Sequence, residues 1–325
     1  MALIQSLNFI GRFLVNNILI SVVIPVYMAA ECLSELHRRL TLSLSSITNN
    51  YEIIFVEDCG TDESWNIIKL LSQQDSRVIG IQLSRNFGQH CAITAGLDKS
   101  SGTWVVVMDC DLQDQPEEIV GMYEYAIVGN FDVVFALRGR RADSYLKRIT
   151  SSFFYVVFRY FSGINYSGNS ANFSILKRVV VNEFCKMREQ LRFFGGLIQW
   201  MGFSVGYKQV QHAPRFKGKS SYSYGRLLTL AVSTIIAYSD KPLRIAINVG
   251  FIMATISFCF GLYILFQALY FGSKIQGWPS LIVSLFFIGG LIISILGVIG
   301  IYLGKTFDEV KKRPLYIVRQ EVRRS

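Results

Sequence analysis

The sequence predicts an α/β fold in which a mostly parallel sheet carries helices on both faces, followed by a pair of transmembrane helices. Three observations support this prediction. Short runs rich in valine and isoleucine alternate with helix-like segments from residue 20 to residue 210, a pattern typical of parallel sheets that are buried on both faces. Two long apolar runs follow, with one charge between them. Lysine and arginine residues cluster on the outer sides of these runs.

Composition excludes several classes of protein. Of the 325 residues, 51% are hydrophobic and 17% are charged, and the formal net charge is +10. A chain this apolar is not disordered, and it is neither collagen nor a coiled coil. The six cysteines form no C-x-x-C pair and have no histidine at metal-ligand spacing, so we expect neither a zinc site nor a disulfide framework. Such scattered thiols fit a reducing compartment.

Five strands are expected in the first domain, which we assign to residues 20–210. Their predicted ranges are 20–24, 52–56, 78–83, 104–108 and 132–136, with helical periodicity over residues 63–73 and 86–98. In parallel sheets, ligands bind beyond the carboxyl ends of the strands. Asp58 and Asp109 lie just beyond the second and fourth strands, and we therefore expect them to line one crevice.

An acidic stretch with the sequence DCDLQD occupies residues 109–114, directly after the fourth strand. Its three carboxylates repel one another unless a cation lies among them, and carboxylate and amide oxygens suit Mg²⁺ or Mn²⁺. We therefore expect Asp111 in a metal site that takes its remaining ligands from substrate phosphates. The alternative is a solvated acidic turn in which Asp114 caps the next helix.

Asp58 has two possible roles. Beyond the second strand it would lie where a nucleotide base or ribose binds. Alternatively, it is a turn carboxylate before the next helix, a role that Asp62 could equally fill.

The apolar runs at residues 245–271 and 281–303 each exceed the ~20 residues that span a bilayer. Lys274 is the one charge between residues 245 and 303. We expect a transmembrane hairpin over residues 244–303; the alternative is a buried helical hairpin in a soluble core. The flanking lysines and arginines predict that both ends of the hairpin, and the large domain, face the cytoplasm.

Three further segments complete the predicted organisation. Residues 1–19 form an N-terminal extension in which we find no signal peptide. Residues 211–243 are expected to form a basic loop and a juxtamembrane interfacial helix, and residues 304–325 a basic cytoplasmic tail. The aromatic segments 145–161 and 224–238 are expected to lie on the bilayer face, with core helices of the domain as the alternative.

Taken together, these motifs resemble glycosyltransferase family 2. The resemblance rests on SVVIPVY at residues 21–27, the pair Glu57-Asp58, LSRNFG at 83–88, the acidic stretch, GWPS at 277–280 and KKRP at 311–314. More narrowly, the chain resembles the polyprenyl-phosphate glycosyltransferases, which include the bactoprenol glucosyltransferases and, more distantly, dolichol-phosphate mannose synthase. The resemblance extends from about residue 20 to residue 320.

The family resemblance implies a GT-A nucleotide-sugar-binding fold. It implies that Pro25, Tyr27 and Asp58 line the nucleotide pocket and that Asp109 contacts the nucleotide. Two stretches depart from the family's usual pattern. Residues 28–31 read MAAE in place of a segment that begins with Asn-Glu, and residues 171–174 read ANFS in place of Gly-Asp-Phe-Arg. The second departure leaves the identity of the sugar open.

The resemblance also implies how the phosphates are handled. Asp111, with help from Gln113, would hold Mg²⁺ or Mn²⁺ on the diphosphate, and Arg138 would approach the phosphates. Arg215 and Lys219, in a basic loop, would close over the phosphates of donor or acceptor, since guanidinium and ammonium groups bind phosphate. A general attraction to anionic lipid head groups is the alternative for this loop.

The implied reaction is transfer of a sugar, with inversion, from UDP-glucose or a related UDP-hexose to undecaprenyl phosphate at the cytoplasmic face of the bacterial inner membrane. The product would supply O-antigen or cell-envelope glycan modification, a part of lipopolysaccharide biosynthesis. A homotetramer is implied by analogy. Nucleic acid is not an expected partner, because positive-inside topology already explains the basic residues.

Two other functions stay open at this point. One is a glycosyltransferase that extends a lipid-linked saccharide or polymer, although the Gln-x-x-Arg-Trp motif typical of polysaccharide synthases is absent. The other is a transporter or scaffold, although two spans without internal charges offer no polar pathway.

Overall fold

The computed structural model describes residues 19–138, 170–211, 239, 241–271 and 277–324. The described residues belong to two compact units. Residues 19–138, 170–211 and 314–324 belong to the first, and residues 239, 241–271 and 277–313 belong to the second. Each unit is described by itself below.

The first unit is built on a mixed sheet. Its strands are β1 (Ile20–Val26), β2 (Tyr51–Glu57), β3 (Val78–Leu83), β4 (Trp104–Val107), β5 (Val133–Arg138), β6 (Ser170–Lys177), β7 (Val205–Val210) and β8 (Val318–Arg323). They lie in the order β7-β5-β6-β4-β1-β2-β3-β8. The central strands β4, β1, β2 and β3 are parallel, whereas β6 and β8 run antiparallel to their neighbours. All five strands predicted from the sequence are present.

Helices cover both faces of this sheet. They are α1 (Ala30–Ser45), α2 (Ser64–Gln74), α3 (Gln89–Lys99), α4 (Glu118–Val128), α5 (Arg178–Lys186) and α6 (Phe194–Trp200). On one face, leucines of α1 join Ile68 of α2 and Met122 of α4 in a buried cluster with Val22 and Ile24 of β1. Side chains alternate between the faces of a strand, so Val23 of β1 points to the opposite face, where it meets α3.

Gly96 sets how closely α3 approaches the sheet. A Cβ atom at this position would overlap the side chain of Val23 and would lie 3.1 Å from that of Val56. Only a residue without a side chain allows the helix backbone to lie this close to β1 and β2. The N-terminal turn of α3 is thereby held against the sheet, directly beside the carboxyl ends of the strands.

The chain that follows the second unit returns to the sheet as β8, which pairs antiparallel with the edge strand β3. The Tyr316 hydroxyl donates a 2.7 Å hydrogen bond to Asp98 at the end of α3, and Arg188 holds the same carboxylate with two 2.8 Å bonds. The backbone N–H of Ser84 donates to the carbonyl of Ile317 at 2.8 Å. The sequence assigned these residues to a tail and did not predict this strand.

The second unit contains α7 (Lys241–Phe271) and α8 (Trp278–Val310). The two helices pack antiparallel, because Tyr302 near the end of α8 donates a 2.7 Å hydrogen bond to the carbonyl of Ser239, before α7, while Gly250 faces Ile295. Their segments Lys241–Phe260 and Phe287–Val310 are long and apolar enough to cross a membrane, and neither is buried within the protein. The turn that contains Lys274 lies outside the described residues.

We predict that Gly96→Ala destabilises the protein, because its new Cβ atom overlaps Val23. Alanine is otherwise favoured over glycine in a helix by about 1 kcal/mol. The same substitution at Gly289 of α8, where nothing lies within 4 Å of the added atom, is the matched control. Thermal unfolding in detergent is expected to show a lower midpoint for Gly96→Ala and an equal or higher one for Gly289→Ala. Equal midpoints in the two variants would contradict the close approach.

Candidate active site

The carboxyl ends of the parallel strands bring Asp58 and Asp109 to one edge of the sheet. Asp58 follows β2 directly, and its backbone N–H donates to the carbonyl of Val26 at the end of β1. Asp109 lies two residues beyond β4, the neighbour of β1 on its other side. The expectation that Asp58 and Asp109 share this edge is met.

Asp58 is a buried carboxylate with only 3% of its surface exposed. Its two oxygens accept hydrogen bonds from the backbone N–H groups of Phe87 and Gly88, at 2.7 and 2.8 Å. Burial raises the pKa of Asp58 above its ordinary value, although the two amide bonds oppose the rise. The carboxylate therefore holds the loop between β3 and α3 in a defined conformation.

Asp62, rather than Asp58, is the turn carboxylate of this region. It accepts hydrogen bonds from the Ser64 hydroxyl at 2.8 Å and from the backbone N–H of Ala30 at 3.0 Å. It therefore ties the start of α2 to the start of α1. The turn role considered for Asp58 is therefore filled by Asp62.

Gly88 explains why α3 begins at Gln89 and not near residue 86, as the periodicity predicted. Its φ of 94° and ψ of 154° lie in a region that is essentially restricted to glycine. The Gln89 side-chain amide then donates a 2.6 Å hydrogen bond to Asp109. A continuous chain of contacts therefore runs from Asp58, through this loop, to the acidic stretch.

The acidic stretch folds back on itself after β4. Leu112 is buried and adopts a left-handed conformation with φ of 60°, and the Asp111 carboxylate accepts a 3.1 Å hydrogen bond from the backbone N–H of Gln113. Asp109, Asp111 and Gln113 remain partly exposed. Asp114 is buried, three residues before Glu117, the N-cap position of α4, which makes no side-chain cap hydrogen bond.

The oxygen atoms of this stretch suit a divalent cation that is also bound by the phosphates of a substrate. Among the described residues, no three His, Cys, Asp or Glu side chains form a complete metal cage. Mg²⁺ is typically held by one or two carboxylates and completes its shell with phosphates and water, and Mn²⁺ suits similar oxygen ligands. Asp111 and the amide of Gln113 are of the required chemistry, and both remain partly exposed.

Cys110 lies between two of the carboxylates in the acidic stretch. Burial, together with the charges of Asp109 and Asp111, raises the pKa of its thiol to about 12. A hydrogen bond from the backbone of Tyr27 favours the thiolate and opposes this rise. The raised pKa favours the protonated thiol, which is a poor nucleophile. Its contact with Tyr27 joins the loops that follow β1 and β4.

Comparison with known proteins identifies the family. Residues 21–188 match the family described as Glycosyl transferase family 2. The chain belongs to glycosyltransferase family 2. Together with the mixed α/β sheet, this membership confirms the fold class predicted from the sequence.

Several curated relatives of this glycosyltransferase align over nearly its whole length. An uncharacterized glycosyltransferase, YkcC, from Bacillus subtilis (strain 168) is 36% identical over 306 residues, which is 94% of each chain. A prophage bactoprenol glucosyl transferase homolog from Escherichia coli (strain K12) is 33% identical and covers 93% of this chain and 98% of its own. The bactoprenol glucosyl transferase of Shigella phage SfII is 34% identical, with coverages of 94% and 98%.

Among solved structures, this chain is similar to glucosyl-3-phosphoglycerate synthase from Mycobacterium tuberculosis in complex with Mn²⁺, uridine-diphosphate and glucosyl-3-phosphoglycerate. The TM-score is 0.48 and the identity 14%, over 68% of this chain and 80% of the other. The metal and nucleotide hypotheses rest on the carboxylates of this glycosyltransferase itself.

The remaining predicted residues of this family 2 glycosyltransferase fall into two groups. Pro25 is buried within β1, whereas Tyr27, just beyond the strand, is 52% exposed. Arg138 is the last residue of β5. Strands β4 and β5 both pair antiparallel with β6, so they run in the same direction. Val107 at the end of β4 and Phe135 of β5 both pair with Ser174, so Arg138, three residues later, lies beyond the end of β4 at the same edge of the sheet. The basic loop with Arg215 and Lys219, and segments 145–161 and 224–238, lie outside the described residues.

One contact at this glycosyltransferase's site was not predicted from the sequence, and one departure noted in the sequence proves to lie at the site. Gln89 joins Asp109 to the β3–α3 loop, and nothing in the sequence distinguishes it from any other first-turn residue. Asn172 belongs to the departure noted at residues 171–174. It lies in β6, two residues before Ser174, which pairs with Val107 at the end of β4. Because β4 and β6 are antiparallel, this places Asn172 at the end of the sheet where the acidic stretch begins. The departure therefore falls at the candidate site.

Loop geometry can be tested with a matched pair of glycines. Gly88 and Gly202 both have positive φ, 94° and 73°, and both have open space where a Cβ atom would lie. We expect alanine to strain the backbone at both sites, by about 1–3 kcal/mol. Only Gly88→Ala should weaken UDP binding, by about tenfold, because it disturbs the loop held by Asp58. Calorimetric titration checks this, and equal affinities of the two variants would contradict the assignment.

Proposed function

We propose that this glycosyltransferase moves a sugar from a nucleotide sugar to a polyprenyl phosphate at the cytoplasmic face of a bacterial inner membrane. The observation that carries the proposal is the convergence of Asp58, Asp109 and Asp111 on one sheet edge, joined through the loop that Asp58 holds. A crevice at this edge is where nucleotides bind in parallel α/β sheets. The bactoprenol glucosyl transferases align over at least 92% of this chain, which supports the lipid acceptor.

The donor proposed is UDP-glucose or a related UDP-hexose. Tyr27, Asp58 and Pro25 contribute to the nucleotide pocket, with Tyr27 offering an exposed ring at the mouth of the crevice. Asp109 contacts the nucleotide. Glucose is favoured because the named relatives are glucosyl transferases. Because the neutral Asn172 stands at the same edge in place of the family's aspartate, another hexose is an alternative to glucose.

A divalent cation, Mg²⁺ or Mn²⁺, would be held by Asp111 and Gln113. When bound, it neutralises the negative charge that develops on the departing diphosphate. Asp111 is already oriented by the backbone N–H of Gln113. Arg138, Arg215 and Lys219 are proposed to add positive charge around the phosphates, a role suited to guanidinium and ammonium groups.

The reaction needs little proton transfer. A phosphate monoester has a second pKa of about 6, so the acceptor oxygen is largely ionised at neutral pH. It attacks the anomeric carbon, the bond from that carbon to the nucleoside diphosphate breaks, and the configuration inverts. Catalysis then depends on positioning the two phosphates and on stabilising the leaving group. A neutral Asn172 beside the acidic stretch is compatible with this, since no base is required there.

The membrane arrangement proposed is a pair of transmembrane helices with both termini and the sheet domain in the cytoplasm. Its support is the length and exposure of α7 and α8, whose apolar segments are not buried in the protein as core helices would be. Positive charges outside the two spans favour this orientation. A homotetramer and a role in O-antigen or cell-envelope glycan modification remain predictions from the family resemblance.

A direct assay separates the possible activities. Membranes that contain the protein are incubated with radiolabelled UDP-glucose, other UDP-hexoses and undecaprenyl phosphate, and the product is extracted into organic solvent. We expect label in the organic phase with a single sugar attached. Label in a polymer would indicate the extension of a lipid-linked saccharide. If no nucleotide sugar gives a labelled product, the transporter or scaffold function would be favoured instead.

The metal role predicts a specific loss of transfer. Asp111→Asn is expected to lower the transfer rate by at least about a hundredfold, because the cation loses its anionic ligand. EDTA should abolish transfer in the wild type, and added Mg²⁺ or Mn²⁺ should restore it. Asp132→Asn is the control: Asp132 pairs with Lys177 before β5, at the opposite edge of the sheet. Full activity of Asp111→Asn, or transfer unaffected by EDTA, would refute the metal role.

A further inference from the structure

Arg192 is a buried arginine whose hydrogen-bonding capacity is largely unused. It precedes α6, and only 5% of its surface is exposed. Its Nη1 donates to the carbonyl of Met187, and its guanidinium lies 4.3 Å from the centre of the Phe184 ring. Its Nε and Nη2 are buried and have no hydrogen-bond partner among the described residues. A buried guanidinium with two unmet donors is costly unless a ligand engages them.

The position of Arg192 connects it with the candidate site. The ring of Phe193 meets the His90 ring edge-on at 6.1 Å, which brings this segment against the first turn of α3. The same turn begins with Gln89, the partner of Asp109, and follows Gly88, a partner of Asp58. The segment that carries Arg192 therefore packs against the helix turn that borders the candidate site.

Electrostatics within this cluster agree with the geometry. Burial and the positive charge of Arg192 together lower the pKa of His90 to about 4, so that the histidine is neutral at physiological pH. Burial also lowers the pKa of Arg192 itself, and attraction to Glu189 opposes this only in part. The cluster thus carries positive potential beside the first turn of α3, whose own dipole favours an anion.

We propose that Arg192 binds a phosphate group of one of the two reactants through its Nε and Nη2. These two nitrogens form the fork that matches two oxygens of a phosphate. The inference rests on the proposed function for its choice of anion, and it adds a residue that neither the acidic stretch nor the family resemblance indicated. The phosphate belongs either to the nucleoside diphosphate donor or to the polyprenyl phosphate acceptor.

Binding measurements on the full chain in detergent test the proposal without requiring transfer. The probes are UDP and inorganic pyrophosphate for the donor, and farnesyl phosphate for the acceptor, each with Mg²⁺; uridine and farnesol are the controls that lack phosphate. Arg192→Met is expected to weaken binding of one phosphate class by at least about tenfold. Which class is lost identifies the source, and uridine or farnesol affinity should not change.

Arg178 supplies a matched control. Its guanidinium is part-buried at the opposite edge of the sheet, where it donates to the Gly102 carbonyl at 2.8 Å and to Ser100 Oγ at 3.2 Å. Arg178→Met should lower the ligand-free melting midpoint without changing phosphate affinity. Arg192→Met should leave that midpoint unchanged or raised, because it removes a buried charge with unmet donors. A structural arginine would give the reverse pattern.

The outcomes are decisive. Unchanged affinity for all phosphate probes in Arg192→Met, or a wild type that binds none of them, would overturn the proposal. Should Arg192→Met fail to fold, Arg192→Lys keeps the charge but loses the fork, and it must still weaken phosphate binding by several-fold. A wild type that binds the probes through Arg192 but transfers no sugar would refute the proposed function and leave this site standing.

Discussion

The hydrogen bonds from the Phe87 and Gly88 amides to the buried carboxylate of Asp58 are the interaction on which the candidate site depends. They fix the loop after β3, and this fixes where α3 begins. The first residue of α3, Gln89, can then reach Asp109. Without the carboxylate, two amides would be left unsatisfied beside a buried strand end, and the acidic stretch would lose its link to the rest of the sheet.

Helix α3 connects the loop held by Asp58 with the far side of the unit. Its middle lies against the sheet at Gly96, and its last turn presents Asp98 to Tyr316 and Arg188. The chain that follows the second unit therefore contacts the same helix whose first turn lies at the candidate site. Backbone strain is concentrated at this edge as well: Met28, Cys59 and Leu112 have positive φ and follow β1, β2 and β4. Such strain persists only where surrounding contacts enforce it, as at functional sites.

Much of this could be predicted from the sequence, because buried parallel strands are continuous apolar runs and their carboxyl ends are marked by acidic residues such as Asp58 and Asp109. The strand β8 could not, since its residues are charged and exposed at a sheet edge and have no strand-like alternation of apolar residues. Gln89 and Arg192 were not predicted either. The contact of Gln89 with Asp109, and the packing of the Arg192 segment against the first turn of α3, join residues that are distant in the sequence, and no local pattern indicates them. The start of α3 was misplaced because Asp58 competes for the amides of the predicted first turn.

The central claim is that Asp58 organises the site through the two amides it holds. Hydrogen exchange resolved at Phe87 and Gly88, in the full chain and in Asp58→Asn, tests it most directly. The account predicts strong protection of both amides in the wild type, and exchange faster by at least about tenfold in the variant, accompanied by weaker UDP binding. Rapid exchange in the wild type, or unchanged exchange and UDP affinity in Asp58→Asn, would contradict it.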